Sequence, residues 1–198
     1  NPNIKLPDLE IVVIIRSGGS GSTYLLTKYL SKLNLLWKNS FGTKLEINFP
    51  GCILANNSQQ MQKLLSQIPG SFGYIAYRYK DNDKFKFAAV ENITGNYIKP
   101  SIKTITNSAN TKLPNDSRTS LINSNAKNGY PLSSFSWIIT YENQNYNNKE
   151  KLTHKELKKL LKWLVNDGQQ YNKTTGYSPL PENAKKIANN IVNKISYK

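Results

Sequence analysis

Cysteine and histidine are almost absent, since Cys52 and His154 are the only residues of their types among 198. A disulfide within the chain is therefore excluded, and a thiolate or imidazole metal centre lacks a ligand set. A nucleophile–base pair would have to use His154, which lies in a capping-box sequence at Thr153–Glu156 that predicts the start of a helix. We expect no catalytic residue, no metal and no cofactor, and we interpret Cys52 as a small buried hydrophobic residue.

Long hydrophobic runs are also missing. The longest is Ile11–Ile15, whereas a transmembrane helix needs about 20 apolar residues. The opening Asn1-Pro2-Asn3 lacks Met and is not followed by a charged and then apolar leader. We interpret this as an internal start, so the sequence itself says little about the compartment.

Acidic residues are scarce. The chain has 12 Asp and Glu but 27 Lys and Arg, which gives a net charge of +15. Such a charge attracts anions in general. The basic residues are scattered, however, and the densest stretch, Lys155–Lys162, has the spacing of a helix face. A nucleic-acid interface needs a clustered basic face with stacking aromatics, and most of the 12 Tyr fall at core-like positions. We therefore predict no nucleic-acid partner.

Blocks of strand-like and helix-like residues alternate along the chain, which predicts an α/β fold. Ile11–Ile15 is apolar without alternation, as is typical of a parallel strand buried on both faces. Strands are predicted at 11–15, 45–49, 72–77, 85–90 and 135–141. Helices are predicted at 24–33, 58–68, 101–107, 153–164 and 181–195.

The segment Arg16–Thr23, between the first strand and the first helix, is the one with definite chemistry. Its glycines allow consecutive N–H groups to converge, and the helix start favours an anion. Arg16 offers a guanidinium fork that fits a tetrahedral oxyanion. The segment matches neither the P-loop nor the G-x-G-x-x-G pattern. From these residues alone, an anion site and a plain tight connection both remain open.

The motif Arg-Ser-Gly-Gly-Ser-Gly-Ser at Arg16–Ser22 resembles the Arg-Ser/Ala-Asp-Gly-Ser-Gly-Thr loop of PstS-like phosphate-binding proteins, which serve phosphate ABC importers. Further segments are similar to that family in the same order along the chain. They are Asn1–Pro7, Thr27–Leu33, Trp37-Lys38, Ile68–Ile75 (Ile-Pro-Gly-Ser-Phe-Gly-Tyr-Ile), Tyr130–Ile138 (Tyr-Pro-Leu-Ser-Ser-Phe-Ser-Trp-Ile), Leu160–Trp163 and Gly176–Pro181.

This resemblance implies a two-lobed, class II periplasmic-binding-protein fold, here incomplete at the N-terminus. Residues 1–126 would form part of the second lobe with the anion-binding turn, and residues 127–198 the C-terminal part of the first lobe. A missing N-terminal segment or a second copy would complete the lobes. The implied function is non-catalytic capture of inorganic phosphate for a membrane permease. The implied location is the periplasm or the cell surface.

Carried over residue by residue, the resemblance assigns phosphate binding to Arg16, Ser20, Gly21 and Ser22. Ser22 stands where the family has Thr and keeps the hydroxyl. Gly18 stands where the family has Asp, so Arg16 lacks a carboxylate neighbour at that position. The segment 51–61 also departs from the family's glycine-rich sequence. These departures motivate an alternative, a diverged paralogue with a lost or altered ligand that acts in sensing, adhesion or surface structure.

Overall fold

The computed structural model describes residues 5–80 and 84–198. The chain divides into two compact units, of which the first ends at Phe87 and the second begins at Ala88. The first unit contains β1 (Val12–Arg16), α1 (Gly21–Leu33), α2 (Leu35–Ser40), β2 (Ile53–Ala55), α3 (Ser58–Gln67), β3 (Ser71–Phe72) and a 3-10 turn at Tyr77–Tyr79. The second contains β4 (Val90–Glu91), β5 (Tyr97–Ile98), α4 (Ile102–Asn107), α5 (Lys151–Val165), a 3-10 turn at Asp167–Tyr171 and α6 (Glu182–Lys194).

The first unit is built on a parallel sheet with the strand order β2–β1–β3. Arg16 is in register with Ala55, and Val12 is in register with Ser71. Parallel neighbours need crossover connections, which here contain the helices α1 and α3. Ile14 of β1 packs with Ala55 and with Met61 of α3 in a fully buried cluster. This core holds the C-terminal ends of β1 and β2 side by side.

The second unit contains an antiparallel pair, β4 with β5, and a packed helix pair, α5 with α6. Leu161 of α5 is buried against Val192 of α6 and Ile195. The chain near its C-terminus runs beside the loop before α5, where the Ser196 N–H donates to the carbonyl of Glu142 at 2.8 Å. Side chains of this unit therefore form their own core.

The predicted α/β class is confirmed, and so are the first strand and all five predicted helices, with small shifts of their ends. Helix α5 begins at Lys151 with Glu150 at its N-cap, so the predicted capping box at Thr153 is wrong. Lysine and leucine are good helix formers and extend the helix by two residues. His154 is half-buried in the first turn of α5, and Cys52 is half-buried, less enclosed than predicted.

The predicted strand at 45–49 is wrong. The backbone there bonds to the first helix region instead, because the Ser20 N–H donates to the carbonyl of Leu45 at 2.8 Å. The Thr27 hydroxyl likewise donates to the carbonyl of Lys44 at 2.9 Å. Of this segment only Ile47 is buried. The segment is therefore held by one buried side chain and by these two hydrogen bonds rather than by a sheet.

Three other predicted strands are shorter or absent. The strand predicted at 72–77 is limited to Ser71–Phe72, and the one predicted at 85–90 to Val90–Glu91. The strand predicted at 135–141 does not form, because no backbone group of that segment bonds to the backbone of another described segment. A β-rich sequence needs a partner strand to become a ladder.

The lobe boundary predicted at residue 126 falls inside the second unit. There the Asn92 side-chain amide donates to the carbonyl of Lys127 at 2.8 Å, and the Tyr130 N–H donates to the carbonyl of Thr104 at 2.9 Å. The assignment of residues 1–126 and 127–198 to two lobes stays a prediction. Among the described residues, none of the helices is long and apolar enough to cross a membrane.

Candidate anion-binding site

The candidate site lies where two adjacent parallel strands end. Arg16 is the last residue of β1 and Ala55 the last residue of β2, and the two are in register. Each strand leads into a helix N-terminus, that of α1 after Ser20 and that of α3 after Asn57. Ligands of open α/β sheets bind at this carboxyl edge. The sheet thus brings the predicted anion turn next to a second helix start.

The guanidinium of Arg16 is held across this edge by the segment that follows β2. Its Nη1 donates to the Ser58 hydroxyl at 3.2 Å, and its Nη2 donates to the carbonyl of Asn56 at 3.3 Å. Its Nε is buried and has no hydrogen-bond partner among the residues that the structure describes. A buried cationic N–H without an acceptor is costly, so Arg16 keeps one unused hydrogen-bond donor at this edge.

The turn after Arg16 is open on its outer side. Gly18 has a φ of +71°, a left-handed conformation that glycine adopts without strain. A Cβ atom built on Gly18, Gly19 or Gly21 would meet no heavy atom within 4 Å apart from the adjoining residues, in the part of the chain that is described. The backbone of the turn is therefore accessible to a small ligand.

Gly21 and Ser22 are the first two residues of α1, as the anion-site prediction requires. The N–H groups of Gly19, Gly21 and Ser22 donate to no atom of residues 5–80 or 84–198. No acidic side chain occupies the first turn of the helix. Unpaired N–H groups and the positive end of the helix dipole make this point favourable for an anion.

Ser20 has a positioning role that the sequence prediction did not include. It is the N-cap of α1, and its hydroxyl oxygen accepts from the Thr23 N–H at 3.4 Å. Its own N–H donates to the carbonyl of Leu45 at 2.8 Å. The residue is buried, with 6% of its surface exposed. The hydroxyl hydrogen can still donate, so the predicted contact of Ser20 with phosphate stays a prediction.

Tyr74 forms hydrogen bonds with residues at both ends of the turn. Its hydroxyl oxygen accepts from the Arg16 N–H at 3.1 Å and is 2.7 Å from the hydroxyl of Thr23, which is fully buried. The last residue before the turn and the first turn of α1 therefore share one anchor. Sequence reasoning missed this residue, because it follows β3 and is separated from Arg16 by 58 positions.

The loop between β2 and α3 lies beside the turn that follows β1. The Ser17 hydroxyl donates to the side-chain oxygen of Asn56 at 2.9 Å, and the Asn56 N–H donates to the side-chain oxygen of Gln60 at 2.7 Å. The segment 51–61 departs from the family sequence, and no role was predicted for it. The structure places Asn56 and Ser58 against Arg16 and Ser17.

A carboxylate also reaches the turn. The Gly18 N–H donates to Oε1 of Glu46 at 3.0 Å. Glu46 was not among the predicted site residues, because it lies 28 positions away in a segment predicted to be a strand. Within the described residues, no three His, Cys, Asp or Glu side chains gather as a metal site. The guanidinium of Arg16 and the unpaired N–H groups of the turn can donate to an oxyanion, and Glu46 adds a carboxylate acceptor beside them.

A family model described as a PBP superfamily domain matches residues 3–168, and the chain belongs to this family. The predicted fold of periplasmic-binding-protein type is thereby confirmed, in partial form. A solved structure titled as a high affinity periplasmic phosphate-binding protein (PfluDING) bound with phosphate superposes with a TM-score of 0.59 at 19% identity. That alignment covers 95% of this chain and 63% of the other.

Among curated proteins, the chain is similar to proteins named phosphate-binding protein PstS. The one from Xylella fastidiosa (strain Temecula1) is 29% identical over 186 residues, which is 92% of this chain and 50% of that protein. The one from Methanocaldococcus jannaschii is 28% identical over 98% of this chain and 54% of that protein. The PstS-like resemblance is confirmed, and the chain spans about half the length of these relatives. Their name denotes binding rather than a reaction, which supports the prediction of a non-catalytic protein.

Proposed function

We propose that this chain forms one wall of a receptor for inorganic phosphate. The observation that carries the proposal is the buried Nε of Arg16, which lacks an acceptor within the described chain. It lies at the end of the strand whose following turn presents the unpaired N–H groups of Gly19, Gly21 and Ser22. Arg16, Ser20, Gly21 and Ser22 would hold the phosphate oxygens through charge-assisted hydrogen bonds and the dipole of α1.

The wider role follows from the PstS-like relatives. Phosphate captured here would pass to the membrane permease of an ABC importer, in the periplasm or at the cell surface. Since the chain spans about half of the relatives, further ligand contacts would come from a segment outside residues 1–198 or from a second copy. A two-lobed receptor closes on its ligand by hinge motion, which needs both walls.

Calorimetric titration of phosphate tests the proposal, on protein freed of bound anion by unfolding and refolding. We expect one site, and we expect Arg16→Ala to weaken it by at least about a hundredfold, because a charged fork contributes several kcal/mol. Arg16→Lys keeps the charge without the fork and should lose part of the affinity. The matched control is Arg118→Ala, whose side chain is 88% exposed. Equal losses in Arg16→Ala and Arg118→Ala would contradict the proposal.

A diverged paralogue that acts in sensing, adhesion or surface structure is the second candidate. Gly18 favours it, since the family loop has Asp at that position. This candidate predicts that a folded chain gives no heat with phosphate or sulfate, alone or as part of a longer polypeptide. Binding that appears only in the longer polypeptide would instead support the phosphate receptor.

A further inference from the structure

Ser58, the first residue of α3, contacts the guanidinium of Arg16. Its hydroxyl oxygen accepts from Nη1 at 3.2 Å, and the nearby carbonyl of Asn56 accepts from Nη2 at 3.3 Å. Ser58 and Arg16 are both half-buried. A guanidinium has more N–H donors than these two contacts use, and the Nε donor is among the unused ones. The loop between β2 and α3 therefore holds one part of the fork and leaves the rest available.

Hydrogen bonds also define the backbone that carries these two acceptors. The carbonyl of Ala55 accepts from the Ser17 N–H at 3.0 Å, and the Asn56 N–H donates to the side-chain oxygen of Gln60 at 2.7 Å. The side chain of Asn57 caps α3 by accepting from the Gln60 N–H at 2.8 Å. A serine side chain has a single χ angle to order. The Ser58 hydroxyl is thus a short acceptor on a backbone that is bonded before and after it.

We propose that Ser58 is a positioning residue for phosphate binding, which orients the guanidinium of Arg16 before the anion enters. The inference rests on the proposed phosphate site and adds a residue that acts through Arg16. A long arginine side chain loses rotamer freedom when it binds a ligand, and a contact that orders it beforehand removes part of that cost. The hydroxyl and carbonyl acceptors are neutral, so that they orient the fork without neutralising its charge.

The contact with Ser58 could instead compete with the ligand. The guanidinium would then leave Ser58 on binding, and removal of the hydroxyl would tighten phosphate binding. Two observations favour orientation. Nε has no acceptor in the part of the chain that is described, so Arg16 has a donor to offer without giving up Ser58. No carboxylate of the described residues pairs with Arg16, so an incoming anion has no ion pair to break there.

The test is calorimetric titration of phosphate into the wild type and variants of α3. Ser58→Ala removes the acceptor, while Asn57 still caps the helix. We expect it to weaken phosphate binding by about threefold to tenfold, less than Arg16→Ala does. Ser58→Thr keeps a hydroxyl and should bind within about twofold of the wild type. The control Ser66→Ala removes a hydroxyl near the other end of α3, where it donates to the carbonyl of Lys63 at 2.7 Å, and should leave the affinity unchanged.

Two further measurements distinguish orientation of Arg16 from a general effect on structure. In an Arg16→Lys background, which has the charge but no fork, adding Ser58→Ala should change the affinity by less than about twofold. In free protein labelled with ¹⁵N, the Nε–H of Arg16 should show a higher heteronuclear NOE in the wild type than in Ser58→Ala, because the contact restricts the side chain. An equal NOE in both proteins, or an undiminished loss in the Arg16→Lys background, would overturn the role of Ser58.

The outcomes separate this inference from the function on which it rests. If Ser58→Ala binds phosphate as tightly as the wild type, or more tightly, the positioning role is overturned while the phosphate site stands. The same conclusion follows if Ser66→Ala loses as much affinity as Ser58→Ala. If the wild type binds no phosphate, the proposed function falls, and the role of Ser58 in phosphate binding falls with it.

Discussion

Strand β1 and the segment 135–141 are both rich in isoleucine and other strand-forming residues, yet their surroundings differ completely. Ile14 and Ile15 of β1 are 0% and 1% exposed, whereas Ile138 and Ile139 are 63% and 94% exposed. The first segment has a parallel partner on each side, and the second has none among the described residues. Burial of a strand therefore depends on its neighbours as much as on its own sequence.

The largest difference between these two regions should appear in stability. We expect Ile14→Ala to lower the free energy of unfolding by about 2–5 kcal/mol, because it leaves a cavity in the cluster with Ala55 and Met61. The same change at Ile139 should cost less than about 0.5 kcal/mol. Urea unfolding followed by circular dichroism measures both. A comparable loss at Ile139 would mean that this side chain is covered in the folded protein.

The helix pair of the second unit provides the next comparison. Leu161 is buried between α5 and α6, while the adjacent Leu160 is 52% exposed. Leu161→Ala should destabilise the unit by about 2–4 kcal/mol, and Leu160→Ala by clearly less. The same unfolding measurement applies. Equal effects would show that the exposed side of α5 is also packed in solution.

How far a sequence predicts structure depends on whether the determining contacts are local. Helical periodicity and the apolar run of β1 are local signals, and both were confirmed. The segment 135–141 carries an equally strong local signal, but the ladder that it would join is absent from the described chain. The alternation at 45–49 misled the prediction, because its backbone bonds are made to Ser20 and Thr27 rather than to a strand.

The candidate site shows the same limit. Arg16, Gly21 and Ser22 belong to one contiguous motif, so the sequence alone could bring them together. Tyr74 and Glu46 reach the turn from 58 and 28 positions away, as partners of Arg16 and Gly18. A hydroxyl and a carboxylate at those distances leave no pattern that a single sequence can reveal. The pairing of β3 with β1 places Tyr74 at the turn, and hydrogen bonds of Leu45 and Lys44 to Ser20 and Thr27 place Glu46 there.

Removing the hydroxyl of Tyr74 should have a smaller effect, of about 1–2 kcal/mol, because the two hydrogen bonds to Arg16 and Thr23 are lost. We expect Tyr74→Phe also to weaken phosphate binding, since the turn loses its anchor. Tyr97→Phe in the second unit is the control, because Tyr97 is exposed on β5. Unchanged phosphate affinity in Tyr74→Phe would show that the turn keeps its shape without this anchor.

The smallest effects are expected for the helix caps, which sharpen the comparison between the two units. Ser20 caps α1, and Ser101 caps α4 in a reciprocal capping box with Thr104. Either serine changed to alanine should cost about 1 kcal/mol of stability. Only Ser20→Ala should also lower the affinity for phosphate, because Ser20 is one of the residues of the proposed site. If Ser101→Ala lowers that affinity as much, the effect is global rather than local.

The most direct test of the central claim is to locate the bound anion by NMR. Phosphate added to protein labelled with ¹⁵N should shift the amide resonances of Gly19, Gly21 and Ser22 and the Nε–H resonance of Arg16, all saturating with one dissociation constant. Resonances of α5, which carries the densest lysines, should stay in place. Shifts confined to the lysine-rich face of α5, with the turn unchanged, would contradict an anion site at Arg16–Ser22.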